Sequence, residues 1–157
     1  MGNSLLTDGK YRLTRIETIA EGIVDETKVG YSDIKPSNNF LLASGDILYS
    51  NINSISHMGK VAQYKGNSVL FHGINLLRLS PSDIILSDFL LQILSTESKR
   101  NWAKSHANQA VSQASINQTL LASQEIYVCN EKEQEKIGEF LTCVDNLITL
   151  HQRKPLI

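Results

Sequence analysis

The sequence predicts an α+β fold, in which a twisted, mostly antiparallel sheet with flanking helices precedes a long C-terminal helix of the coiled-coil type. Short apolar segments separated by glycine turns between residues 47 and 79 are typical of such a sheet. From about Ser87 the apolar period becomes that of a helix, and after Asn130 it follows a heptad. The chain therefore divides into a predicted domain at residues 1–130 and a helical segment at residues 131–157.

Length and composition restrict the class of protein. With 157 residues, of which 41% are hydrophobic and 20% charged, the chain can bury a core without disulfides or a structural metal. No apolar run reaches the roughly 18 residues that a membrane span needs. The region from Met1 to Lys10 also lacks the apolar part of a signal peptide. We therefore expect a cytoplasmic protein without membrane contact.

The first two thirds of the chain are predicted to hold one short helix and several strands. Leu13, Ile16 and Ile19 recur at three-residue spacing, which predicts a helix that ends near Gly22. Strand candidates follow at residues 47–49, 60–64, 68–71 and 76–79, and another lies at 124–128. Gly45, among other glycines, supplies the turns that an antiparallel arrangement requires.

Two longer helices are predicted towards the C-terminus. The first begins at Ser87 as N-cap and continues to about Ser105, and an amide-rich polar loop follows at residues 106–119. The second begins after Asn130, which can form a capping box with Glu133, and extends to about Lys154. Such a helix would be roughly 36 Å long.

The last helix carries an apolar seam that is too long for the preceding domain to cover. A second copy of the chain presents the same surface, so we expect a homodimer in which two helices pair antiparallel about a two-fold axis. The seam residues are Ile137, Phe140, Leu141, Val144, Leu147 and Ile148.

The distribution of charge points to a nucleic-acid surface although the net charge is only −1. No Asp or Glu occurs between Asp46 and Asp83, or between Glu97 and Glu125, and both stretches contain basic and amide side chains. Amides suit adenine edges, whereas Lys and Arg suit phosphates and guanine. The candidate DNA-binding residues are Asn51, Asn53, Ser54, His57, Lys60, Lys65, Arg78, Lys99, Arg100, Lys104, Asn108, Gln109, Gln113 and Asn117.

The sequence offers little for catalysis. Its four histidines are scattered without an HExxH pattern, and neither a GxSxG elbow nor a phosphate-binding glycine loop is present. Cys129 and Cys143 form no CxxC pair. We therefore assign no catalytic residue, no metal ligand and no cofactor to the chain.

The order of motifs resembles one repeat of the specificity (S) subunit of type I restriction–modification systems. The Glu133-Gln134 pair followed by Ile137, which opens the last helix, is the most specific part of the likeness. The other matching stretches are the opening at residues 11–16 that leads to Gly22, and residues 40–60, 73–81, 113–121 and 132–145.

The resemblance implies a role in DNA recognition without chemistry of its own. Similar S subunits contain two target-recognition domains, each of which reads one half of an interrupted target, separated by two long helices that dock methyltransferase (M) subunits. A chain with one such domain and one helix is expected to be half of an S subunit. It would direct adenine methylation by M subunits, which supply S-adenosylmethionine, and cleavage by the restriction (R) subunit.

A different class of function also fits the sequence. The chain could be an assembly module that acts only through its C-terminal helix and does not bind DNA. That alternative predicts no sequence preference even when M subunits are present, whereas DNA recognition predicts a defined target.

Overall fold

The computed structural model describes residues 6–20, 22–110 and 113–152 of the chain. The strands in these ranges are β1 (Tyr11–Leu13), β2 (Ile19–Ala20), β3 (Gly22–Val24), β4 (Gly30–Ser32), β5 (Ile47–Ser50), β6 (Ile52–Asn53), β7 (Val61–Gln63), β8 (Leu76–Leu79), β9 (Asn108–Gln109) and β10 (Ala114–Ser115). The α-helices are α1 (Ser87–Ser95), α2 (Glu97–His106), α3 (Gln118–Ala122) and α4 (Glu131–Gln152).

The central sheet has the strand order β2-β3-β7-β5-β8. Strand β5 pairs antiparallel with both β7 and β8, and β2 pairs antiparallel with β3. Strands β3 and β7 are parallel. The predicted α+β class with a mostly antiparallel sheet and a long final helix is therefore confirmed.

Both faces of the central sheet are covered, and for this reason every residue of β5 is buried. Side chains alternate between the two faces of a strand. Ile47 and Tyr49 pack towards α1 and α2, whereas Leu48 belongs to a second core on the opposite face. Burying each such aliphatic side chain contributes roughly 1.5–3 kcal/mol.

Two smaller sheets flank the central one. Strands β1 and β4 form an antiparallel pair, and β6, β10 and β9 form an antiparallel sheet of three. Asn51, the residue between β5 and β6, joins this sheet to the core: its backbone carbonyl accepts from the Ile116 amide at 2.8 Å. Its side-chain Nδ2 donates to the Ile116 carbonyl at 3.2 Å.

The region from Ser87 to Ser105 is two helices rather than the single helix that the sequence predicts. Thr96 ends α1 and N-caps α2, where its Oγ1 accepts from the Lys99 amide at 3.4 Å. Ser87 is not the N-cap, a position held by Leu86, because its hydroxyl instead donates to the Gly45 carbonyl. None of the helices in the ranges given above is long and apolar enough to cross a membrane.

The predicted N-terminal helix is wrong. Residues Ile16–Thr18 form only a single 3-10 turn between β1 and β2. Buried Thr14 explains the difference, because its amide donates to the Phe71 carbonyl at 2.8 Å and its Oγ1 accepts from the Gly73 amide at 3.0 Å. Long-range bonds of this kind override an apolar spacing that extends over only two turns.

Two predicted strands are also absent from the described structure. Residues 68–71 form only isolated bridges at Phe71, since the Tyr64 hydroxyl donates to the Ser68 carbonyl at 2.6 Å where a neighbouring strand would pair. Residues 124–128 are irregular, and the Lys99 ammonium donates to the Glu125 carbonyl at 2.5 Å. In both segments a side chain takes a backbone group that a sheet would use.

The final helix α4 begins where the sequence predicts. Asn130 Oδ1 accepts from the Glu133 amide at 3.1 Å, and Asn130 Nδ2 donates to Glu133 Oε2 at 3.4 Å. The helix packs against α1, with Gly138 at the closest approach, because a Cβ there would lie 3.1 Å from the Asp88 Cβ. The predicted end near Lys154 lies outside the described residues.

Candidate nucleic-acid interface

The sheet β6-β10-β9 joins the two acid-free stretches of the sequence. Ala114 lies directly opposite Asn53 of the first stretch and Gln109 of the second. Ser115 is opposite Ile52 and Asn108 in the same way. The structure therefore places amide-rich segments that are about 60 residues apart side by side at one end of the fold.

The loop between β6 and β7 packs against α2 and brings basic side chains from both stretches together. Gly59 makes this contact possible: it has a φ of +73°, and an added Cβ would lie 2.8 Å from the Ala103 Cβ and 3.7 Å from the Arg100 Cα. His57 and Lys60 flank this glycine in the loop. Arg100 and Lys104 follow each other at four-residue spacing, which places them on one face of α2.

The same loop carries an exposed serine–histidine group. His57 Nδ1 lies 2.7 Å from Ser54 Oγ and 3.1 Å from Ser56 Oγ. Asn53 Oδ1 accepts from the Ser54 amide at 2.8 Å and orders the turn. Within the described residues no carboxylate hydrogen-bonds this histidine, so the group presents hydrogen-bonding atoms rather than a catalytic triad.

Buried Tyr49 lies beneath the loop. Its hydroxyl would be 3.3 Å from a Cβ at position 59. Burial raises the pKa of Tyr49 to about 12, so the hydroxyl stays neutral at physiological pH. An uncharged floor thus supports the polar loop.

We call this surface the polar end. It gathers ten of the candidate DNA-binding residues on neighbouring elements, and all ten lie in the two acid-free stretches, although α2 itself begins with Glu97. Its members are Asn53, Ser54, His57, Lys60, Arg100, Lys104, Asn108, Gln109, Gln113 and Asn117.

Four further candidates do not belong to the polar end. Asn51 is 8% exposed and joins strands inside the fold. Lys65 pairs with Asp88 at 3.3 Å, at the opposite end of β7. The Arg78 guanidinium donates to the Leu41 carbonyl at 2.5 Å and lies 4.0 Å from buried Asp46. The Lys99 ammonium donates to the Glu125 carbonyl. Intramolecular partners thus occupy all three cations.

The predicted seam on α4 is only partly covered. The side of α4 that faces the domain carries Gln134, Gly138 and Asp145, and Gln92 donates to Asp145 at 3.1 Å. The seam lies on an adjacent face. Ile137, Leu141 and Val144 are partly buried. Phe140 is 67% exposed, Leu147 52% and Ile148 50%.

Sequence reasoning assigned no structural role to Gln134, which is 2% exposed. Its Nε2 donates to the carbonyls of Ile84 and Cys129, at 3.0 and 2.8 Å, and its Oε1 accepts from the Leu86 amide at 2.9 Å. The sequence feature that could have indicated this role is a polar residue on the apolar side of the heptad.

Among the residues the structure describes, no group of His, Cys, Asp or Glu is arranged to hold a metal ion.

Comparisons with known proteins point to one family. A family model described as the type I restriction modification DNA specificity domain matches residues 2–156. The MjaX specificity subunit of a type I restriction enzyme from Methanocaldococcus jannaschii is 45% identical over 143 residues, which is 88% of this chain and 34% of that protein.

A solved structure shares the fold. This structure belongs to work on complex assembly and conformational transition of the type I R-M system. One of its chains matches 97% of this chain with a TM-score of 0.67 at 16% sequence identity. The match covers 33% of that chain. The present chain thus spans about a third of the length of each of these relatives.

Proposed function

The chain belongs to the DNA specificity domain family of type I restriction–modification systems, and on that premise we propose that it reads one half of an interrupted DNA target through the polar end. The observation that carries this proposal is the pairing of β10 with β6 and β9, which joins two acid-free segments. Phosphate contacts position a protein on DNA and base contacts specify the sequence. The polar end offers cations for the first and amides for the second.

We propose that chemistry is supplied by partner subunits. In this arrangement M subunits would bring S-adenosylmethionine and methylate adenine, and an R subunit would cleave. The chain itself would need no cofactor and hold no catalytic residue. Its near-neutral charge of −1 fits a domain whose partners also hold the DNA.

A homodimer through α4 would supply the second half-site. The exposed seam residues Phe140, Leu147 and Ile148 support this pairing. In an antiparallel pair the start of each α4, where glutamates 131, 133 and 135 outnumber lysines 132 and 136, would lie near His151 of the other copy. Two copies related by a two-fold axis would read an interrupted palindrome.

The assembly-module alternative makes the opposite prediction about sequence preference. Membership of the DNA specificity family and the absence of acidic side chains from the polar end favour DNA recognition. A module that acts only through α4 gives no reason for the exposed amides of Asn108 and Gln109 on β9.

Co-expression with the methyltransferase subunit of its own system tests the proposal. Methylated adenines are mapped across the host genome, and we expect them in one common motif made of two half-sites. Leu147→Glu, a substitution at an exposed position of the seam on α4, serves as the assembly control. Methylation that is absent, or that follows no common motif, would contradict DNA recognition.

Lys60→Ala is expected to weaken DNA binding by the assembled complex without changing the fold. If Lys60 contacts a phosphate, the slope of log affinity against log salt concentration falls by about 1. Lys65→Ala is the matched control, since Lys65 lies roughly 16 Å away along β7 and is paired with Asp88. Filter binding at several salt concentrations measures both slopes, and equal slopes would contradict the assignment.

A further inference from the structure

We infer that the outer face of the sheet β6-β10-β9 reads an A·T base pair in the major groove through Ile52, Ser115 and Asn108. This inference rests on the proposed function and specifies the base pair and the residues involved. Ile52 and Ser115 were not among the candidates that the sequence suggested. The strand register identifies them.

The register divides the sheet into two faces. Residues directly opposite each other on neighbouring strands point to the same face. Ala114 and Ile116 are 3% and 1% exposed and belong to the core, so their face points inwards. Ser115, between them, points outwards and lies opposite both Ile52 and Asn108.

The outward row has the dimensions of the major groove. Neighbouring strands lie about 4.8 Å apart, so the row from β6 to β9 spans roughly 10 Å. The major groove of B-DNA is about 12 Å wide and admits β-strands. The loop with Lys60 and the helix with Arg100 pack on each other, and both can contact phosphates that border the groove.

The chemistry of the row matches an A·T pair. An asparagine amide can bond bidentately to adenine N7 and N6, and an apolar side chain can contact the thymine methyl group. Asn108 at one edge of the row is exposed, Ile52 at the other edge is partly exposed, and the Ser115 hydroxyl lies between them. A G·C pair lacks the methyl group and presents a second acceptor where adenine presents a donor.

Selection from a pool of randomised duplexes tests the inference with the assembled complex. Asn108→Ala is expected to lose the preference for A·T at one position of each half-site by roughly 5- to 150-fold, and the rest of the motif should persist. Asn146→Ala is the matched control because Asn146 is also an exposed asparagine but lies on α4, outside the polar end. We expect its motif to equal that of the wild type.

Replacing thymine by uracil at that position tests Ile52 separately. Loss of the methyl group should weaken binding by the wild type about fourfold and binding by Ile52→Ala by much less. An unchanged motif for Asn108→Ala, or a relaxed motif for Asn146→Ala, would overturn the inference while leaving DNA recognition intact. A wild-type complex without any motif would overturn both.

Discussion

Gln134 holds the starts of α1 and α4 together. Its amide satisfies the Leu86 amide before α1, the Ile84 carbonyl, and the Cys129 carbonyl before α4. The first turns of helices leave backbone groups unsatisfied, and one buried side chain here pairs three groups near two such turns. In the Glu-Gln pair that resembles the family motif, Glu133 thus contributes to the N-terminal cap of α4, and Gln134 links the start of α4 to the start of α1.

Gln134→Ala is expected to lower the free energy of unfolding by at least roughly 1–3 kcal/mol. The variant leaves partly buried backbone groups without partners, and each such loss carries a cost of that order. Glu135→Ala is the matched control, because Glu135 is exposed and should change stability by about 0.5 kcal/mol or less. Urea unfolding measures both variants, and equal midpoints would argue against the fastening role.

His72 is expected to make stability depend on pH. Desolvation lowers the pKa of His72 below its ordinary 6.5, with a smaller lowering by Arg78, while a bond to the Gly73 carbonyl and the charge of Asp46 oppose the shift. The unfolded chain therefore binds a proton first as pH falls below 6.5. Stability should be complete above about 6.5 and decline between that value and the lowered pKa.

Thermal unfolding of the wild type and of His72→Asn between pH 5.5 and 7.5 measures this contribution. The decline of the wild type below pH 6.5 should be steeper than that of the variant. Parallel curves for the two proteins would show that His72 does not contribute.

At the scale of elements, the strands of the central sheet could be predicted from the sequence. Segments whose backbone is bonded by a side chain from elsewhere in the chain could not. The predictions at residues 47–49, 60–64 and 76–79 are confirmed. Strands β5 and β7 are buried throughout, whereas β8 at the sheet edge keeps only Leu76 buried and exposes Arg78. The missing strand at residues 124–128 depends on Lys99, which is distant in sequence. No local pattern shows such a bond.

Gly59→Ala is expected to destabilise the fold by roughly 1–3 kcal/mol, since a φ of +73° disfavours any side chain and the new Cβ meets Ala103 at 2.8 Å. Gly22→Ala is the matched control: its φ is +82°, but the nearest heavy atom, on Leu91, is 4.0 Å away. Differential scanning calorimetry of the two variants separates the backbone cost from the clash. A smaller loss at Gly59 than at Gly22 would contradict tight packing of the loop on α2.

At the scale of the whole molecule, the sequence indicated the segments of the polar end but not which of their side chains lie together there. The acid-free stretches indicated which segments to consider, and ten of the fourteen candidates lie at the polar end. Lys65, Arg78 and Lys99 do not, because each has a partner that only the fold brings near. Ile52 and Ser115 escaped notice because strand register decides which residues share a face.

The seam on α4 leads to the last prediction, which concerns the oligomeric state. The face that carries Gln134 and Gly138 is covered by the domain, whereas Phe140 and Leu147 remain exposed. A large exposed apolar stripe on a helix is costly in water and is typical of an interface. We therefore expect the wild-type chain to sediment as a dimer at tens of micromolar.

Leu147→Glu should then sediment as a monomer, because each copy would bring a buried charge to the interface. Asn146→Glu adds the same charge one residue earlier, about 100° around the helix, and should remain a dimer. Both side chains are exposed in the chain itself, so neither change should unfold it. A monomeric wild type would exclude the homodimer, and the second half-site would then have to be read by a different chain.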